Sequence, residues 1–271
     1  MRVAKLGGIT LEYEIGGNPE GEAVLFISPV LADGFVPLFA ESALTERYRL
    51  IRYHKRGWVG STHTKGDVGV TDHAADAAGL LESLGIHTAH LVGHSSGAPV
   101  AMQMAVDRPA LAGSLGLLEP SIMSVPSADA FFKGAQPVFD AYAAGRPADA
   151  FAMFMSAVSG LDWAACSDLL EKRVPGAAAQ AIEDADTFFG VELPSLGKWS
   201  FEPKKISSPA LSVLGSKTQR LWIEVDELLR TSLPKVERTT IEGVGHLLHI
   251  EKPAPVARAL ADFFACNPIR S

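Results

Sequence analysis

Apolar and polar residues alternate over Arg2–Leu6 and again over Ile9–Ile15, with Gly7-Gly8 between them. Alternation of period two on both sides of a glycine pair predicts a β-hairpin. Ala23-Val24-Leu25-Phe26-Ile27 is apolar without a break, the pattern of a strand covered on both faces. A loop, Ser28–Gly34, follows it. Tyr48–Tyr53 is a further strand, closed by the turn-rich stretch His54–Ser61. Over Thr71–Leu84 the period becomes helical, with Ala74, Ala77, Ala78 and Leu81 on one side and Gly85 as the stop. Ala89–Val92 is again a strand. Gly93-His94-Ser95-Ser96-Gly97 then leads into a helix running to about Asp107.

Leu115–Glu119 is the next strand, and strands parted by helices at this rhythm predict a parallel sheet with helices on both faces. The rhythm stops at Pro120. Residues 121–203 hold no strand-like run; they are rich in Phe and Trp, and their spacing predicts helices near 128–144, 147–158, 162–173 and 176–188. Alternation resumes with strand Ala210–Leu214, helix Leu221–Leu233, strand Val236–Ile241 and helix Pro253–Phe264. The expected class is therefore α/β, a mostly parallel eight-stranded sheet built from residues 1–120 and 204–271. Residues 121–203 are expected to form a helical cap where the strand ends and loops meet.

Composition narrows the function. The chain has 271 residues, 47% apolar and 20% charged, enough for a substantial core. A formal net charge of −7 with no basic cluster argues against nucleic acid or an anionic membrane as partner. Cys166 and Cys266 stand in no metal-ligand spacing, so neither a disulfide framework nor a zinc site is expected. Met1–Leu11 lacks the apolar block of a secretory signal and no apolar run reaches membrane-spanning length, so the expected location is cytoplasmic. No phosphate loop, dinucleotide fingerprint or metal triad occurs, and no cofactor is expected. Whether two copies associate as a homodimer is left open.

The chemistry centres on Ser95. A serine between glycines, at a sharp turn from strand into helix, is lifted out in front of the helix's free N–H groups. A hydroxyl there is a nucleophile if a base removes its proton. Gly93-His94-Ser95-Ser96-Gly97 resembles the nucleophile elbow of the α/β-hydrolase superfamily. Gly243-Val244-Gly245-His246, after the last strand, resembles that family's histidine loop. Arg52–Gly57 with Gly60-Ser61 resembles the turn after its fourth strand, with His54 where aspartate is common. The resemblance covers about residues 2–120 and 205–271. It implies Ser95 as nucleophile and His246 as base, with His249 a local competitor and His94 structural.

The family's usual acid position, in the loop after the seventh strand, holds Thr218, which carries no charge. Glu119, ending the preceding strand, is the better candidate, since a carboxylate at the end of a buried apolar strand needs a partner. Glu224 and Asp226 are expected to be solvated. An acid at the end of the sixth strand, together with Ser95-Ser96-Gly97-Ala98, is similar to the zearalenone-type lactone hydrolases. The oxyanion donors implied are the backbone N–H groups of Ser96 and Val30, with Leu31 the alternative to Val30; Pro29 has no N–H. Trp58, Trp222 and the cap aromatics are candidates for lining a substrate pocket, with core packing the commoner role of aromatics at helical spacing. The expected function is a serine hydrolase for a small apolar ester or lactone. A carbon–carbon bond hydrolase, a perhydrolase, or a ligand-binding protein with an idle triad are the alternatives.

Overall fold

A computed structural model describes residues 1–64 and 66–269. Its strands are β1 (Arg2–Leu6), β2 (Ile9–Gly17), β3 (Glu22–Ile27), β4 (Tyr48–Tyr53), β5 (Ala89–His94), β6 (Ala112–Leu118), β7 (Ala210–Gly215) and β8 (Val236–Ile241). They form one 8-stranded sheet in the order β1-β2-β4-β3-β5-β6-β7-β8. β2 runs antiparallel to β1 and β4, and the remaining pairings are parallel. The hairpin turn rests on Gly7 at φ 52° and Gly8 at φ 106°, values a side chain would resist.

Alternation along each central strand builds two cores, one on each face of the sheet. Val24 and Phe26 of β3, with Val92 of β5, Leu118 of β6 and Val213 of β7, pack toward the helix Pro253–Cys266. Leu25, Ile27, Leu91, Leu115 and Leu117 point the other way, toward the helices Val70–Ser83 and Gly97–Asp107. Burying each such side chain contributes about 1.5–3 kcal/mol. All six residues of β5 are buried, as are all six of β7, so the strand bearing the serine turn is covered on both faces of the sheet.

Several strand ends differ from the sequence reading, and two of them bear on the site. β5 continues through Gly93 to His94, so Ser95 is the first residue past the strand. β6 ends at Leu118, which leaves Glu119 at φ 41° just outside it, before Pro120. Between β6 and β7 the described chain carries helices and no strand. The helix expected near 128–144 is two, Ala128–Gly134 and Gln136–Ala143, because Pro137 cannot donate to a preceding turn and starts a new helix instead. The helix expected near 176–188 ends at Glu183, and a π-helical turn, Phe188–Glu192, leads into a further helix, Leu193–Lys198. No single helix among the described residues is long and apolar enough to cross a membrane.

Candidate active site

Ser95 sits at φ 50°, a left-handed conformation costly for a residue with a side chain. The turn is held by bonds across the strand ends: Ser95 N–H donates to Leu118 O at 3.0 Å, and Ser121 N–H to Ser95 O at 3.1 Å. The flanking glycines are steric necessities. A Cβ on Gly97 would lie 2.0 Å from Ile27 O, and one on Gly93 would lie 2.5 Å from Ala98 Cα. Helix Gly97–Asp107 begins immediately behind the serine, so its N-terminal dipole points at the space Ser95 faces.

His246 and Glu119 form a buried pair, with Nδ1 2.8 Å from Oε2 and the side chains 3% and 0% exposed. A carboxylate only accepts, so Nδ1 carries the proton and Nε2 keeps the free lone pair. The other oxygen, Oε1, accepts Gly215 N–H at 2.8 Å, and Glu119 N–H donates to Val213 O at 3.2 Å. Glu119 thus serves both as the histidine's partner and as a clamp on the loop after β7. Thr218, in that loop, has a buried hydroxyl with no partner among the described residues.

Ser95 Oγ is 3.0 Å from Ser121 Oγ, and no hydrogen bond joins it to His246 among the described residues. Both side chains line one cavity. Trp222 stacks on the His246 ring with centroids 4.0 Å apart, and His94 Nε2–H donates to His246 O at 2.9 Å. These contacts fix the ring and its loop. Ser121, two positions after Glu119, was missed by sequence reasoning because nothing in its local pattern marks it.

His249 is buried against His94 and Phe35, with ring centroids 4.4 and 4.8 Å away, and neither of its nitrogens has a partner among the described residues. Burial, with a smaller contribution from His246, holds its pKa down to about 3. Burial, then His249 and His246, keep His94 well below the usual histidine value. Burial, then Lys55, holds His73 at about 4. The unfolded chain takes up protons on these rings near pH 6.5 while the folded chain does not. Their contribution is therefore complete above about pH 6.5 and is lost as the pH falls toward 4 and below. Moving from about pH 7.5 to 5.5 should destabilise the protein by about 1.4 kcal/mol for each such ring, read as a lower urea midpoint. An unchanged midpoint would show these rings to be solvated.

The cavity is lined by Ser95, Ser121, His246 and His249 on the sheet side with Val30, Leu31 and Leu247, and by Met123, Phe131, Phe132, Phe154 and Phe188 from the helical insert. Among the described residues no Asp, Glu, Lys or Arg lines it. Ser96 N–H and Val30 N–H make no hydrogen bond among the described residues, and both residues line the cavity, as does Leu31. Among the described residues no group of three or more His, Cys, Asp or Glu is placed to hold a metal ion.

Of the aromatic candidates, Trp222, Phe131, Phe132, Phe154 and Phe188 line the cavity, while Trp58 lies in the core, 1% exposed. Other expectations are corrected. Asp226 is not solvated: it is 1% exposed on the inner face of helix Arg220–Ser232, where Arg238 of β8 lies 3.0 Å from it. Glu224 is also engaged, accepting Ser127 N–H at 2.8 Å and Arg220 Nε–H at 2.7 Å. His54 stands outside the cavity lining, its ring nitrogens 2.9 Å from Glu12 and 3.0 Å from Asp33.

Known proteins place this architecture. The chain is 36% identical over 111 residues to "Putative carbamate hydrolase RutD" of Variovorax paradoxus (strain S110), a match covering 40% of this chain and 41% of that one. The chain thus spans less than half the length of that relative. Its fold is similar to a thermophilic esterase from Thermogutta terrifontis, with TM-score 0.81 and 20% identity over 98% of this chain and 99% of that one. It is also similar to the enol-lactonase from Burkholderia xenovorans LB400, with TM-score 0.74 and 18% identity over 97% and 100%. The sequence matches the alpha/beta hydrolase family over residues 24–259, from β3 into the last helix. Sheet order, serine turn and sequence match agree, and the chain belongs to the α/β hydrolase family.

Proposed function

We propose that this chain is a serine hydrolase cleaving a carboxylic ester or lactone of an uncharged, apolar small molecule through an acyl-enzyme. The observation that carries this reading is the buried Glu119–His246 bond of 2.8 Å opening onto the same cavity as Ser95 at its strained turn. Ser95 Oγ leaves Ser121, gives its proton to His246 Nε2 and attacks the carbonyl carbon. The oxyanion is held by the N–H groups of Ser96 and Val30. His246 returns the proton to the leaving oxygen, then activates water to release the acid. Glu119 keeps Nδ1–H in place and stabilises the imidazolium. Residues 121–203 act as the cap.

Substrate class follows from the lining. A cavity without a charged side chain would strip a carboxylate or ammonium group of water and offer it no partner. The position of Glu119 resembles that of the zearalenone-type lactone hydrolases, which makes a macrocyclic or aryl lactone the first substrate to try. The names of the two structural neighbours, an esterase and an enol-lactonase, concern the same bond class.

A second reading, a ligand-binding protein with an idle triad, takes support from the bond of Ser95 to Ser121 in place of His246. A fluorophosphonate probe separates the two. The wild type should acquire one phosphonyl adduct, mapped to Ser95, and Ser95→Ala should acquire none. A folded wild type that binds an apolar ligand but stays unlabelled would leave only the second reading.

A further inference from the structure

Glu192 is one of the most buried carboxylates in the chain, 3% exposed, and it belongs to the helical insert rather than to the sheet. It closes the π-helical turn Phe188–Glu192, a geometry that appears in proteins mostly at functional positions. Three donors converge on it from elsewhere in the fold. Oε1 accepts Lys55 Nζ at 2.6 Å and Ser96 Oγ at 2.7 Å, and Oε2 accepts Trp58 Nε1 at 3.1 Å. Lys55 and Ser96 are themselves 2% and 4% exposed. Burial would push the carboxyl pKa up, but Lys55, His73 and the bonds from Lys55 and Ser96 hold it below the usual range. The cluster is a buried, hydrogen-bonded network that links the loop after β4, the serine turn and the insert.

Ser96 is the unusual member. It is the residue after Ser95, and it gives its hydroxyl proton to a carboxylate 96 positions away. Its chain neighbours constrain it already, Ser95 by a positive φ and Gly97 by contact with Ile27 O. Fixing the Ser96 side chain adds a third restraint on its Cα, and so on the direction of its unpaired N–H. We infer that Glu192 is a positioning residue for the hydrolysis proposed above: through the Ser96 hydroxyl it aims the Ser96 N–H at the developing oxyanion. The inference rests on the serine hydrolase reading. It also makes the insert part of the reaction geometry, since Phe188, at the start of the same turn, lines the cavity.

The test compares Ser96→Ala, which removes the hydroxyl alone, with Lys55→Met/Glu192→Met, which replaces the ion pair by side chains of similar volume. Replacements of that kind are often neutral or stabilising. Using p-nitrophenyl butyrate, both variants should lose about 10-fold or more in kcat with KM within about 2-fold of wild type, a fraction of what deleting an oxyanion donor costs. Combining all three substitutions should lower kcat no further, because they break one linkage. Melting temperatures of Ser96→Ala and wild type should agree closely. Wild-type kcat in Ser96→Ala, or a raised KM with kcat intact, would overturn the positioning role, while normal fluorophosphonate labelling of Ser95 would keep the hydrolase reading. If the wild type is neither labelled nor active on esters, both fall together. Should the double variant fail to fold, Ser96→Ala decides alone.

Discussion

Glu119→Gln is expected to lower kcat for ester turnover by roughly 10³–10⁴-fold, the scale seen when a triad acid is neutralised without loss of geometry. The carboxamide has the same shape and one acceptor. Gly215 N–H, now bonded to Oε1 at 2.8 Å, claims that acceptor and leaves the NH₂ facing His246 Nδ1. The imidazole then moves its proton to Nε2, and the lone pair that should receive the serine proton is gone. The clamp on the β7 loop survives, so the melting temperature should change little while activity collapses. Two other carboxylates serve as controls. Glu224 is tied to Ser127 and Arg220, and Glu251 accepts Gly245 N–H at 3.1 Å, next to His246 in sequence. Glu224→Gln and Glu251→Gln should each stay within about 3-fold of wild type, in the range of ordinary surface or peripheral changes. Loss of activity in either, with Glu119→Gln active, would move the acid elsewhere.

Ser95→Ala and His246→Ala should each reduce kcat by about 10⁶-fold, and the double variant should be no slower than either alone. Nucleophile and base act as one unit: without the hydroxyl there is no proton for the base to take, and without the base the hydroxyl is not activated. Additive losses in the double variant would mean that the two residues work in separate steps and would break the proposed mechanism. The residual rate above water in all three variants should remain sensitive to Ser96→Ala, because oxyanion donors still bind the transition state.

The sheet was legible because its code is local. An unbroken apolar run at Ala23–Ile27 or alternation at Ile9–Ile15 is written within a few residues, and the resulting strands came out in place. Helix ends in the insert were less so. Pro137 splits one expected helix, and the π-helical turn at Phe188–Glu192 has no period that hydrophobic spacing would register. At the site, Ser95 is readable because glycines must flank a turn so crowded, and Glu119 because a carboxylate ending an apolar strand demands a partner. Ser121 and Glu192 carry no such local mark, and Trp222, a pocket candidate by type, carries none for its place on the His246 ring. Their roles arise from contacts across the fold, such as Ser96 to Glu192 or Trp222 to His246, which only tertiary structure can bring together. Asp226 misled for the same reason: its place on an amphipathic helix looks solvated until Arg238 is seen beside it.

The indole of Trp222, laid flat on the imidazole of His246 at 4.0 Å, has an optical consequence. Indole emission is quenched by a contacting imidazolium and shifts in colour when water leaves its surroundings. The chain has 4 tryptophans, and Trp222 alone among them lines the cavity. Filling that cavity, or acylating the serine beside it, is therefore expected to change the native fluorescence chiefly through Trp222. The fold carries its own reporter, in contact with the ring that the proposed mechanism charges and discharges.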